Sequence, residues 1–125
     1  MGFNFFRSKP RAVVGTSVST DGRLVYAIGD IHGRLDLLDA LLDIIGADAA
    51  TSAVKQRPVL VFVGDYIDRG PASKGVIDRL IRLREASDRG NGLEVRTLMG
   101  NHEQTLLQFL DSPEVGPSWV EFGGG

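Results

Sequence analysis

The sequence has no cysteine, which excludes disulfides, thiolate metal ligands and a cysteine nucleophile and leaves only oxygen and nitrogen donors for any metal. It has no apolar run near the roughly 18 residues a membrane-spanning helix requires. Met1 to Arg11, with three Phe and three basic residues, lacks the apolar stretch of a signal peptide, and Phe6 breaks the myristoylation pattern. No block of Lys and Arg stands out against a net charge of −2, which argues against nucleic acid as a partner. Residues 1–22 therefore read as a flexible leader, the expected compartment is the cytoplasm, and neither nucleic acid nor membrane is an expected partner. Histidine is scarce as well, with two in 125 residues.

From residue 22 onward, short apolar runs alternate with amphipathic ones, at a length that suits one domain. Leu24–Ile28 predicts a strand. Residues 34–45 predict a helix with Leu35, Leu38, Leu41, Leu42 and Ile45 inward and Gly46 at its end. Val59–Val63, wholly apolar and mostly β-branched, predicts a buried strand. Pro71 opens a second helix with Val76, Ile77, Leu80 and Ile81 inward, and Ser87–Gly92 reads as a turn. Leu93–Met99 predicts a third strand, and a third helix carries Leu106, Leu107 and Leu110 until Asp111-Ser112-Pro113 stops it. The alternation implies an α/β fold with parallel strands joined by right-handed crossovers.

Each predicted strand ends in glycine and then a short polar residue: Gly29-Asp30, Gly64-Asp65, Gly100-Asn101. In a parallel sheet these ends share one edge, where open α/β folds place ligands. Two carboxylates and an amide that converge there favour a cation between them. His32 adds a nitrogen, and an oxygen–nitrogen donor set without sulfur suits Mn, Fe or Zn. Arg69 offers a fork of donors to a phosphate. Asn101 offers an oxygen to metal and an N–H to phosphate. His102 can donate a proton, and Asp68 can orient a neighbouring histidine. These parts describe hydrolysis in which two metal ions supply hydroxide near neutral pH and His102 protonates the departing oxygen. Taken singly, Gly29-Asp30 is an ordinary turn, Arg69 a solvated side chain, His32 a satisfied histidine and Asn101 a helix cap with Gln104 as its partner. Both histidines falling inside the three motifs favours the joint reading.

The strings GDIHG (29–33), GDYIDRGP (64–71) and GNHE (100–103) resemble the opening signatures of the calcineurin-like metallophosphoesterases, most closely the serine/threonine phosphoprotein phosphatase branch. The resemblance spans about residues 23–111. It implies that Asp30 and His32 bind one metal, Asp65 bridges two, and Asn101 binds the second metal and touches phosphate. It further implies that His102, supported by Asp68, is the general acid, and that Arg69 grips phosphate; Glu103 matches without an assigned role. The implied cofactor is a pair of divalent ions, manganese first, with iron or zinc as alternatives. The implied fold is an αββα sandwich of which residues 23–125 hold the first βαβαβα half. Its second sheet would bring two more histidine ligands and another arginine, and no histidine follows His102. The expectation is thus a truncated domain with an exposed apolar patch, from a phosphoprotein phosphatase acting on a phosphorylated protein or small phosphoester. Alternatives are a symmetrical diadenosine tetraphosphate hydrolase, in which glutamine usually stands in place of His32, and an inactive phosphate- or metal-binding fragment.

Overall fold

The computed structural model describes residues 20–124, so all but the last three residues of the proposed leader lie outside it. Within that span the order is β1 (Val25–Ile28), α1 (Leu35–Thr51), β2 (Val59–Phe62), α2 (Ser73–Asp88), β3 (Glu94–Thr97), α3 (Asn101–Asp111), a 3-10 turn (Pro113–Val115) and α4 (Gly116–Glu121). Among the described residues the strands form one parallel sheet in the order β1-β2-β3.

The register pairs Tyr26 with Leu60 and Leu60 with Val95, and Ile28 with Phe62 and Phe62 with Thr97. Period-two alternation places these side chains on one face. There Ile28, Leu60, Phe62 and Val95 join Leu38 and Ile45 of α1 and Val76 and Leu80 of α2 in the core. Right-handed crossovers between adjacent strands put α1 and α2 on that same face. The Arg79 guanidinium on α2 reaches Asp39 on α1 at 2.9 Å. The other face carries Val25, Ala27, Val61 and Arg96, with Val25 and Arg96 exposed and Val63 exposed just beyond β2. An exposed apolar surface is thus present on that face.

Local chemistry moves several boundaries. Helix α1 runs through Gly46 to Thr51, because Ala47, Ala49 and Ala50 are strong helix formers and outweigh one glycine. Pro71 precedes α2 instead of opening it; the helix begins at Ser73. The cap of α3 is Gly100, and the residue that reaches back to its N–H, at 2.9 Å, is Glu103 rather than Gln104. The predicted inward stripes are too wide: Leu41, Ile81, Leu107 and Leu110 are exposed. Helix α3 packs on the 3-10 turn and α4, so only part of its apolar stripe meets a partner. The sequence reading did not anticipate α4.

Candidate metal and phosphate site

The three strand-end motifs meet at the carboxyl edge of the sheet, and backbone hydrogen bonds set their spacing. The N–H groups of Ile31 and His32 donate to the Asp65 carbonyl at 2.9 and 3.0 Å, and Gly33 N–H donates to the Tyr66 carbonyl at 2.9 Å. Second and third motifs approach more closely still. A Cβ on Gly100 would lie 2.2 Å from the backbone nitrogen and Oδ1 of Asp65. Likewise a Cβ on Gly33 would lie 2.7 Å from the Gly70 carbonyl oxygen. Only hydrogen fits at these crossings.

Glu103 holds the second loop from inside. Its carboxylate accepts N–H bonds from Asp65 at 2.8 Å, Tyr66 at 2.6 Å, Ile67 at 3.2 Å and Gly100 at 2.9 Å. Four N–H groups on one carboxylate offset a costly backbone. Among the described residues five non-glycines have positive φ, and four belong to the motifs: His32 (44°), Asp65 (56°), Asp68 (71°) and Arg69 (68°). Such conformations persist only where surroundings over-determine them, and they gather at functional sites.

These bends aim the side chains inward. His32 Nδ1 lies 2.9 Å from the Ile67 carbonyl. A carbonyl only accepts, so Nδ1 carries the proton and Nε2 presents a lone pair. That Nε2 is 3.7 Å from Asp30 Oδ2, whose carboxylate is otherwise open to solvent. His102 Nδ1 is 2.8 Å from Asp68 Oδ2, with both side chains buried, so its Nδ1 carries a proton as well. The two imidazoles stand edge to face, 4.7 Å between centroids. Donor atoms of His32, Asp65 and His102 all lie within 4.8 Å of one another. Asp65 Oδ1 also accepts the His102 N–H at 3.1 Å. The end of the Asn101 amide that faces Asp65 sits 3.1 and 3.2 Å from its carboxylate oxygens. With nitrogen there the amide donates to Asp65; with oxygen there, three acceptors face one another and a cation belongs among them. The His32 imidazole beside the Asp30 and Asp65 carboxylates and the Asn101 amide forms a donor set that fits a first-row divalent ion.

Asp30, His32, Asp65, Asn101 and His102 are thus brought together, with Asp68 directly behind His102. Arg69 stands at the rim, beside Asn101 and His102 in the wall of a cavity of about 340 Å³ that Trp119 and Phe122 complete. Its backbone N–H donates to the Gly123 carbonyl at 3.0 Å and its Nε to the Phe122 carbonyl at 3.3 Å. One participant matched a motif without a role, and another had no signal in the sequence. The four-bond role of Glu103 uses backbone partners, and Trp119, whose indole N–H donates to Asp68 Oδ2 at 2.7 Å, lies beyond every motif.

A parallel α/β sheet that gathers carboxylate, imidazole and amide donors at its carboxyl edge defines a metal-assisted hydrolase scaffold. The family model for calcineurin-like phosphoesterases matches residues 24–124, and the chain belongs to that family of metal-dependent phosphoester hydrolases. It is similar to proteins named symmetrical bis(5'-nucleosyl)-tetraphosphatase. The one from Acidovorax ebreus (strain TPSY) is 37% identical over 83 residues, covering 66% of this chain and 25% of that protein. The one from Yersinia pestis (strain Pestoides F) is 42% identical over 82 residues, covering 66% and 24%. The chain thus spans about a quarter of the length of the curated relatives it matches. Among solved structures, a mutant cold-active protein tyrosine phosphatase superposes with a TM-score of 0.52 at 25% identity, covering 85% of this chain and 37% of that one. Among the described residues no helix is long and apolar enough to cross a membrane.

Proposed function

We propose that residues 23–125 form the metal- and phosphate-binding part of a phosphoester hydrolase whose substrate is a symmetrical dinucleoside polyphosphate. The observation that carries the hydrolase reading is the convergence of His32, Asp65 and His102 donor atoms within 4.8 Å. The relatives' names support the substrate, at 37% and 42% identity across the motif region. A second reading, phosphomonoester hydrolysis on a protein, is supported by the likeness to the protein tyrosine phosphatase and by His32 in the first motif. A cytoplasmic setting is part of both.

In this proposal Asp30, His32, Asp65 and Asn101 hold two divalent ions, manganese first, with iron or zinc as alternatives. Bound there, the ions supply Lewis acidity and a nucleophile at neutral pH. Asp65 would help to hold both. Arg69 and the Asn101 amide would hold the phosphoryl oxygens as charge redistributes toward them. His102, its Nδ1–H fixed on Asp68, would present Nε2 to the departing oxygen and deliver a proton to it. Asp68 orients the ring and stabilises its charged form without taking the proton.

Incubating the chain with Mn²⁺ and either diadenosine tetraphosphate or a phosphopeptide tests the assignment. The expected result is cleavage of the dinucleotide to two nucleoside diphosphates, abolished by Asp65→Asn and lowered about 10²- to 10⁴-fold by His102→Asn. Cleavage of the phosphopeptide alone would install the second reading. Mn²⁺ binding by calorimetry with turnover of neither would leave a binding module.

A further inference from the structure

Asp68 is 7% exposed, and a buried carboxylate is tolerable only when donors surround it. One of its oxygens takes two. Oδ2 accepts from His102 Nδ1 at 2.8 Å and from the Trp119 indole Nε1–H at 2.7 Å. The two donors come from different directions: His102 from α3 in the third motif, Trp119 from α4 at the far end of the described chain. The indole packs at a tilt of 39° against Phe109 of α3, 5.3 Å between centroids, which fixes its approach. Behind the pair, the Asp68 N–H donates to Ser73 Oγ at 3.1 Å, so backbone and carboxylate are both anchored.

From this geometry we infer that Trp119 is a positioning residue for His102. A carboxylate with a single imidazole partner can turn and offer either oxygen, at angles that tilt the ring. A second donor on the same oxygen pins the carboxylate with Oδ2 at the vertex. The imidazole then has one place to put its Nδ1–H and one orientation for its Nε2. Helix α4, remote from all three motifs in sequence, is in this way part of the site. The inference rests on the reading of His102 as proton donor only for its functional meaning; the geometry can be tested without turnover.

The chain holds one tryptophan and two histidines, so each side chain gives a countable NMR signal. In the full chain the indole N–H resonance is expected downfield and to move upfield in Asp68→Asn, where a charged acceptor becomes a neutral one. In the native chain the His102 ring is expected to keep its Nδ1–H on Asp68 as a single form. In Trp119→Phe, which keeps an aromatic ring on Phe109 but removes the donor, His102 should become a tautomer mixture. His32, bonded to a carbonyl elsewhere, should not change and serves as the check that the fold persists. An indole resonance indifferent to Asp68→Asn, or a His102 tautomer indifferent to Trp119→Phe, would overturn the inference. Should His102→Asn keep full hydrolytic rate while these signals behave as expected, the proton-donor reading fails and the positioning role of Trp119 stands.

Discussion

At each end of the sheet one charged side chain collects four backbone groups, with opposite polarity. At the carboxyl edge Glu103 accepts from the N–H groups of Asp65, Tyr66, Ile67 and Gly100. At the amino edge Arg57 donates to the carbonyls of Ser87, Asn91, Gly92 and Leu93, at 2.9 to 3.0 Å. The devices match, but the backbone they hold does not. Arg57 closes the link from α2 to β3, where Gly90 and Gly92 take the left-handed conformations without strain. Glu103 holds a segment in which Asp65 and Asp68 take them as L-residues. A turn needs only to close, whereas the site must hold side chains where glycine would relax the chain.

Four experiments can break or sharpen that contrast. Glu103→Ala has the largest expected effect, because it leaves four N–H groups unpaired around strained backbone; the loss should be about 3–5 kcal/mol by urea unfolding. A loss below about 1 kcal/mol would mean that water or relaxation replaces the carboxylate readily. Gly100→Ala comes next, at about 3 kcal/mol, since its Cβ meets the Asp65 backbone rather than a movable side chain. Mn²⁺ affinity, read by calorimetry, should fall with it if the crossing sets the donor spacing. Arg57→Ala should cost about 1–2 kcal/mol and leave Mn²⁺ affinity unchanged. A drop in Mn²⁺ affinity there would show the two edges coupled.

The smallest effect concerns Tyr66. Burial, and then the Glu103 charge, push its phenol up to about 12. The folded state therefore holds this proton more tightly than the unfolded chain, whose phenol titrates near pH 10. The contribution is fully present below about pH 10 and is lost as the pH rises toward about 12. Tyr26, its phenol held up to about 12 chiefly by donation to the Asp48 carboxylate, gives a second signal in an absorbance titration. Tyr66→Phe should remove one high-pH component and flatten the alkaline limb of the stability profile.

The sheet and the gathering of the motifs were legible because both write themselves in side chains. Apolar runs of strand length ended in Gly-Asp or Gly-Asn, and one parallel edge brought those ends together. The role of Glu103 was not legible, since three of its four partners are backbone amides 36 to 38 residues away that no sequence pattern records. Nor was Trp119, which reaches Asp68 across 51 residues through a short helix that itself contains Gly116 and Pro117. Helix α1 continues beyond Gly46 because the propensity of the alanines after it outweighs that local stop signal. Exposed Leu107 and Leu110 show the same limit from another side. Periodicity marks a helix face without saying how much of it a neighbour covers.

The left-handed backbone at His32, Asp65, Asp68 and Arg69 sets a tension between durability and use. Each such residue carries a standing cost on the order of 1–2 kcal/mol, part of which glycine would remove. At Arg69, exposed and with φ of 68°, replacement by glycine should raise the melting temperature slightly while removing the cation from the cavity wall. Selection of this chain for heat resistance alone would erode the site by way of its most comfortable substitutions.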